Sequence, residues 1–356
     1  MHTVEMINFA IMCLFFACYM YQFLYIPISW FAAKKPAPSA GAHRGKGYAL
    51  DYLLREMKLL HQEYFDGYIV LDADNVLAPD FVARMNETFS AGYDIVTCYR
   101  NSKNYGDNWI SAGYALWFLR ESRYLNAARM ALGSSCGVSG TGFLFSAAVL
   151  EAQGGVWPFH LLTEDIEFTI SNVTRGMKVG YCAGAVLYDE QPVRFHQSWV
   201  QRLRWSRGYM QVFGKYGRAL ISGIFHGSFS CYDMAMSIMP AAVLTGLSIV
   251  VNAGAAAVNV FYYKEWGVLG VSALQMLLNL YLTLFVIGGI TTITEWRSIH
   301  CTTAKKLLYA FTFPVFMLTY VPIVIESLFI TPEWTHIDHT RALDMNDICA
   351  EGKRAV

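Results

Sequence analysis

The sequence predicts an α/β domain carried on membrane-spanning helices, and two observations point to it. Long uncharged apolar stretches stand near both ends of the chain. Between them, short apolar runs alternate with segments of helical period and lead into acidic motifs. The chain has 356 residues, 55% of them hydrophobic and 15% charged, with a mean hydropathy of +0.32. That is too apolar for an ordinary soluble protein and too charged for a bundle buried wholly in lipid. The formal net charge is zero, so no broad basic field argues for nucleic acid as a partner. Eight cysteines are scattered without a C-x-x-C pair. Such spacing suits reduced, packing thiols rather than a disulfide framework or a zinc site.

From the N-terminus, residues 6–31 are almost wholly apolar, rich in aromatics towards their end and followed by Lys34 and Lys35. About 20 apolar residues cross a bilayer core. The run lacks a basic start and a small-residue cleavage site, so residues 1–33 are expected to form a retained helix rather than a signal peptide. An Ala/Pro/Lys-rich linker occupies 34–44. Towards the other end, residues 234–262, 268–294 and 307–325 carry no charge. A C-terminal membrane region of about three spans is therefore expected over 232–330, followed by a tail at 331–356. Pro314 and Pro322 make the last span a candidate for a kinked or re-entrant segment. Lys34, Lys35, Arg44 and Lys46 follow the first span, no Lys or Arg precedes it, and Lys305 and Lys306 follow the third. The rule that cytoplasmic loops are positive then places the central region in the cytoplasm, with the spans expected in the plasma membrane.

The central region, 45–193, reads as an α/β domain. Leu50, Leu53, Leu54, Met57, Leu60 and Tyr64 recur with a helical period over 49–64. Residues 68–71 form a continuous apolar run of the kind found in buried parallel strands. A helix at 79–89 and a strand at 94–99 follow. The run at 68–71 leads straight into Asp72-Ala73-Asp74, at the carboxyl end of a strand, where open α/β sheets bind ligands. Two carboxylates one residue apart can face one Mg2+ or Mn2+, a hard cation that takes oxygen ligands and bridges to substrate phosphates. Such a cation offsets charge on a diphosphate leaving group. Taken alone, the pair also reads as two solvated loop acids. The strand before it and the motifs after it favour a site.

Thr163-Glu164-Asp165 precedes a helix at 166–174. Thr163 can serve as its N-cap, with Glu164 and Asp165 complementing the helix dipole. One of the carboxylates can equally act as a general base towards a sugar hydroxyl, and the two roles are compatible. Between the acidic motifs, Gly140, Thr141 and Gly142 sit in a glycine-rich loop ahead of a strand at 143–146. That loop either lines an acceptor site or makes a tight turn. A helix at 195–213, within an interfacial segment at 194–217, interleaves Trp199, Leu203 and Trp205 with Arg202, Arg204, Arg207 and Lys215, a mixture suited to a bilayer surface. Gln201 and Arg204 share a face with Trp205 beside them. Arginine offers paired donors to diphosphate oxygens and tryptophan a flat face to a sugar ring. The alternative is an anchoring helix alone.

Asp72-Ala73-Asp74, Thr163-Glu164-Asp165 and Gln201-Arg202-Leu203-Arg204-Trp205, in this order and with a lysine-containing segment around Lys46, resemble the family-2 glycosyltransferases. The likeness is to the membrane-integrated group of cellulose and hyaluronan synthases and related N-acetylglucosaminyltransferases. The resemblance implies an α/β GT-A-like domain (Rossmann-like, incomplete here), a UDP-linked sugar donor, a divalent cation, and inverting transfer to a glycan or lipid-linked acceptor at the lipid bilayer. It further implies that Asp72 and Asp74 hold metal and donor phosphate, with Asp165 as base beside Glu164 and Lys46 on the nucleotide. Gln201 and Arg204 would close over the donor, and Trp205 with Gly140, Thr141 and Gly142 would line the acceptor site. Four spans are compatible with an oligomer sharing a glycan path. The spans hold almost no internal ionisable residues, which argues against a transporter.

The chain departs from this pattern in one respect. The family opens the domain with a strand, helix and strand that grip the nucleotide, and residues 32–44 cannot supply a buried strand. An internal deletion between Arg44 and Gly45 is expected, with an unpaired sheet edge at 68–71. The competing function is a truncated, non-catalytic membrane remnant.

Overall fold

The computed structural model describes residues 6–15, 47–60, 65–239 and 266–330, with isolated residues between 250 and 258 and at 332 and 347. Lys46, the linker at 34–44 and much of the first two expected spans lie outside them. Helix α1 (Met6–Phe15) is short and apolar. Its Asn8 exchanges side-chain hydrogen bonds of 2.9 and 3.0 Å with Asn252. Two stretches that read as spans thus touch through a polar pair, a contact favoured where the surroundings offer no other partner.

Helix α2 (Gly47–Leu60) buries Leu50 and Leu54, one helical turn apart on one face. Five strands follow: β1 (Gly67–Val70), β2 (Val76–Leu77), β3 (Ile95–Ser102), β4 (Phe143–Ser146) and β5 (Val179–Asp189). They form one sheet in the order β1-β4-β3-β5-β2. Only β3 and β5 are parallel; the other neighbours are antiparallel. This corrects the expectation of a parallel strand at 68–71. β1 pairs antiparallel with β4 at the sheet margin, and its other edge pairs with no strand among the described residues. Its unbroken apolar run has a different cause, because both faces are covered. Ile69 joins a cluster with Phe81 and Met85 of α3 (Phe81–Ser90), whereas Val70 points into the larger core with Phe143, Phe145, Trp157 and Phe168.

On that larger face lie α4 (Trp109–Arg120), a π-helical turn at Glu121–Asn126, α5 (Ala127–Ala131) and α7 (Glu164–Val173). The short α6 (Ala147–Glu151) follows β4 directly, with Ser146 capping it through Val149 N–H. Asn108 caps α4 by accepting from the Ile110 and Ser111 amides, and the Ser111 hydroxyl oxygen accepts from Asn108 N–H, so three otherwise orphaned donors are satisfied.

Helix α8 (Phe195–Phe225) has 31 residues and runs well past the expected end at 213. Gly214 and Gly217 are accommodated within it, and it stops where Gly227 takes φ +81°, the left-handed conformation that closes helices at glycine. Helix α9 (Phe229–Ile238) folds back, placing Met234, Ala235 and Ile238 in the main core. The start of the expected second span therefore packs on the α/β domain. Five of the described cysteines are buried free thiols and Cys13 is exposed, in keeping with packing roles.

Helices α10 (Trp266–Thr294), α11 (Thr303–Leu318) and α12 (Tyr320–Phe329) complete the described chain. Ala273–Thr294 and Thr303–Phe329 are long and apolar enough to cross a membrane. Pro314 lies inside α11, and Pro322 falls in the first turn of α12, where its missing N–H has no helical partner to lose. The connection between α10 and α11 is bolted to the α/β domain. Glu295 accepts the Tyr99 hydroxyl and pairs with Arg123 at 3.2 Å, and Asn101 donates to the Ser298 carbonyl at 2.9 Å.

Candidate active site

β1 delivers the chain to Asp72, whose amide donates to the side chains of Asn75 and Thr141, each at 3.0 Å. Thr141 in turn donates to Asn75, and Gly142 N–H bonds the Val70 carbonyl at 2.9 Å. The glycine-rich loop and the Asp-x-Asp turn are therefore one hydrogen-bonded unit. Gly142 has φ +67°, and a Cβ there would fall 2.3 Å from Cys98 Sγ, so both conformation and space require glycine. Gly140, at φ +79°, brings its backbone towards α7: a Cβ on it would lie 3.8 Å from Asp165 Oδ2.

Asp165 and half-buried Glu164 occupy the first turn of α7 together with Glu167, where three carboxylates complement the positive end of the helix dipole. The expected N-cap differs. The Thr163 hydroxyl makes no capping bond and is buried without a partner among the described residues. The reason is α8: Gly208 presses so closely that a Cβ there would meet Thr163 Oγ1 and Cγ2 at 2.6 Å. Gly208→Ala is accordingly expected to overpack this contact and destabilise the fold by roughly 1–3 kcal/mol, read from the urea midpoint, and an unchanged midpoint would show that the turn carrying Asp165 yields freely. Beside this contact, Tyr209 feels the charges of Glu121 and Asp165. Burial first, then those two carboxylates, push its phenol upwards, so it stays a protonated donor.

Asp74 is held from β5 and β3. Glu190 N–H donates to its carboxylate at 3.1 Å and Lys103 Nζ to its carbonyl at 2.8 Å. Beneath it run two ion pairs, Arg100 with Asp189 and Lys103 with Glu190. Burial pushes the Asp189 carboxyl up, Arg100 opposes this, and the nearby charge of Asp74 adds to the rise. Arg100 also donates to the Ser139 carbonyl at 2.6 Å and lies 3.6 Å over the Phe118 ring. These four charged residues were not singled out from the sequence. Their one visible signal is position, since Arg100 lies near the end of β3 with Lys103 just after it, and Asp189 ends β5 with Glu190 next, at the carboxyl ends of parallel strands.

The helix α8 motif divides its work. Arg202 is fully buried, lies over the rings of Phe316 and Tyr320, and donates to Thr319 Oγ1 at 2.6 Å and the Phe316 carbonyl at 3.2 Å. It fastens α8 to the α11–α12 junction. Trp205 meets Tyr114 and Phe118 edge-on, and so abuts the ring on which Arg100 rests. Gln201 keeps a buried Oε1 without a partner among the described residues, and Arg204 is half-buried on the same helix. Of the residues singled out from the sequence, the structure brings Asp72, Thr141, Gly142, Gly140 and Asp165 into contact or near-contact. It sets Trp205 behind them through Phe118. Among the described residues, no group of three or more His, Cys, Asp or Glu is placed to hold a metal ion.

Residues 36–208 match the family model described as glycosyltransferase like family 2. The chain carries a family-2 glycosyltransferase domain. Its α/β architecture is the GT-A-like fold that the motifs implied, here without a strand beyond β1 among the described residues. Over 79 residues it is 32% identical to a Bacillus subtilis (strain 168) protein called Probable glycosyltransferase YdaM, a match covering 22% of this chain and 19% of that protein. Over 180 residues it is 27% identical to Beta-monoglucosyldiacylglycerol synthase of Synechocystis sp. (strain ATCC 27184 / PCC 6803 / Kazusa), covering 50% of this chain and 36% of that one. The matches thus span from a fifth to about a third of these curated relatives. Among solved structures, mannosyltransferase PcManGT from Pyrobaculum calidifontis, in complex with GDP-Man and Mn2+, overlays with a TM-score of 0.44 at 15% identity, covering 81% of this chain and 67% of that one.

Proposed function

We propose that this glycosyltransferase moves a sugar, with inversion, from a UDP-linked donor to a glycan or lipid-linked acceptor at the cytoplasmic face of a membrane. The observation that carries the reading is the convergence of three sequence-distant motifs. The Asp72 turn bonds to Thr141 at 3.0 Å, and the same loop sets Gly140 against Asp165. Asp165 would take the proton of the acceptor hydroxyl. That oxygen then forms the new bond to the anomeric carbon as the bond to the diphosphate breaks, and the nucleoside diphosphate leaves with the electron pair.

Asp72 and Asp74 suit a magnesium or manganese ion held chiefly by substrate, because these ions keep several waters and take one or two carboxylates plus phosphate oxygens. One Asp74 oxygen is engaged by Glu190 N–H, which orients the carboxylate. When bound, the cation offsets charge on the leaving diphosphate. Gln201 and Arg204 would meet the diphosphate from α8, with Lys46 on the nucleotide. The exposed apolar faces of α10 and α11, including Leu274, Ile293 and Phe311, support seating in a bilayer.

The edge of β1 that pairs with no strand among the described residues favours a second reading, a remnant that holds metal or acceptor without turnover. Full-length chain in lipid nanodiscs, supplied with Mn2+ and a panel of labelled UDP- and GDP-sugars, separates the two. The proposal expects EDTA-sensitive release of UDP that falls at least about tenfold in Asp74→Asn. No release and no metal-dependent UDP binding would leave the remnant.

A further inference from the structure

Two ion pairs lie directly beneath the Asp-x-Asp turn, and burying charge is costly unless the geometry does something else. The Lys103 side chain is 3% exposed and that of Glu190 5%, with 3.6 Å between Nζ and Oε2. Lys103 Nζ also donates to the Asp74 carbonyl at 2.8 Å, while Glu190 N–H donates to the Asp74 carboxylate at 3.1 Å. The two partners of one ion pair therefore grip the two ends of one residue, its backbone from β3 and its carboxylate from β5. The grip is itself anchored. Lys103 N–H bonds the Asp189 carbonyl at 2.9 Å, and Asn104 and Gln191 exchange bonds of 2.8 Å. Asp74 is thereby fixed from two strands beside its own turn.

We propose that Lys103 is a positioning residue for cation binding by Asp74, acting through the Asp74 carbonyl and its ion pair with Glu190. The inference rests on the metal reading given under Proposed function. A lysine suits the task because its compact ammonium can bond a carbonyl and a carboxylate at once. Outer partners of metal ligands commonly set affinity by orienting them.

Mn2+ binding to the full chain in nanodiscs with UDP present, followed by electron paramagnetic resonance of the free ion, tests this without turnover. Lys103→Met is expected to weaken Mn2+ binding by roughly tenfold or more, and Glu190→Gln, which keeps the backbone donor and the side-chain shape, by a smaller factor in the same direction. UDP binding without metal should stay at the wild-type level in both. Wild-type affinity in folded Lys103→Met overturns the role of Lys103 alone. Should that variant not fold, wild-type affinity in Glu190→Gln overturns it instead. If the wild-type chain itself binds no Mn2+ with UDP, the metal reading falls and this inference with it.

Discussion

Asp165→Asn is expected to lower the rate of sugar transfer by about a hundredfold to ten-thousandfold, the range that a positioned general base contributes. The amide keeps the shape of the carboxylate and its place in the first turn of α7, where the Asp165 carbonyl accepts the Thr169 hydroxyl at 2.9 Å. The fold should therefore survive. Donor binding should survive as well, because the Asp72 amide is held by the side chains of Asn75 and Thr141, which the substitution leaves in place. Steady-state transfer and calorimetric titration of UDP on the same preparation check both halves. Turnover near the wild-type rate would remove Asp165 from the base role. Loss of UDP binding along with turnover would make it a structural support of the donor site.

Arg129→Met should produce the largest loss of stability of any single change considered. Arg129 and Asp233 join at 2.5 and 3.0 Å with side chains 3% and 0% exposed, and Arg129 also donates to Ser237 at 2.9 Å. Removing one partner leaves a carboxylate buried without its countercharge, which costs about 3–5 kcal/mol. The pair fastens α9 to α5, so its loss releases α9 from the α/β domain as well. Arg129→Met combined with Asp233→Leu should recover most of that stability, since the isolated charge is gone. Denaturant midpoints of the three proteins decide the matter. A double variant no better than Arg129→Met would mean that the cost lies in packing rather than charge.

Much of the local structure of the candidate site was legible because its parts are local. Asp72 and Asp74 follow the apolar run that contains most of β1, Asp165 lies in the first turn of α7, and Gly140 and Gly142 take the positive φ values that their loop needs. Each of these depends on a few neighbouring residues. The charged frame beneath was not legible, because Arg100 meets Asp189, and Lys103 meets Glu190, only when β3 and β5 pair in register. That register shifts between Cys98 and Tyr99, an irregularity that no residue pattern announced. The two arginines of the α8 motif teach the same point. Arg202 and Arg204 lie about 200° apart around the helix, and the helical pattern does not say which side is buried; Arg202 is the one enclosed by Phe316 and Tyr320, because the α11–α12 junction lies on its side of α8.

Residue order and periodicity alone were enough for the glycosyltransferase motifs, the helices and strands that present them, and the apolar stretches near both ends, since all of these follow from interactions within one element. The direction in which β1 pairs, the failure of Thr163 to cap α7, the return of α9 onto the core and the grip on Asp74 emerged only on assembly. Each depends on which surfaces distant segments bury against one another, and that is settled by the packing of the whole domain.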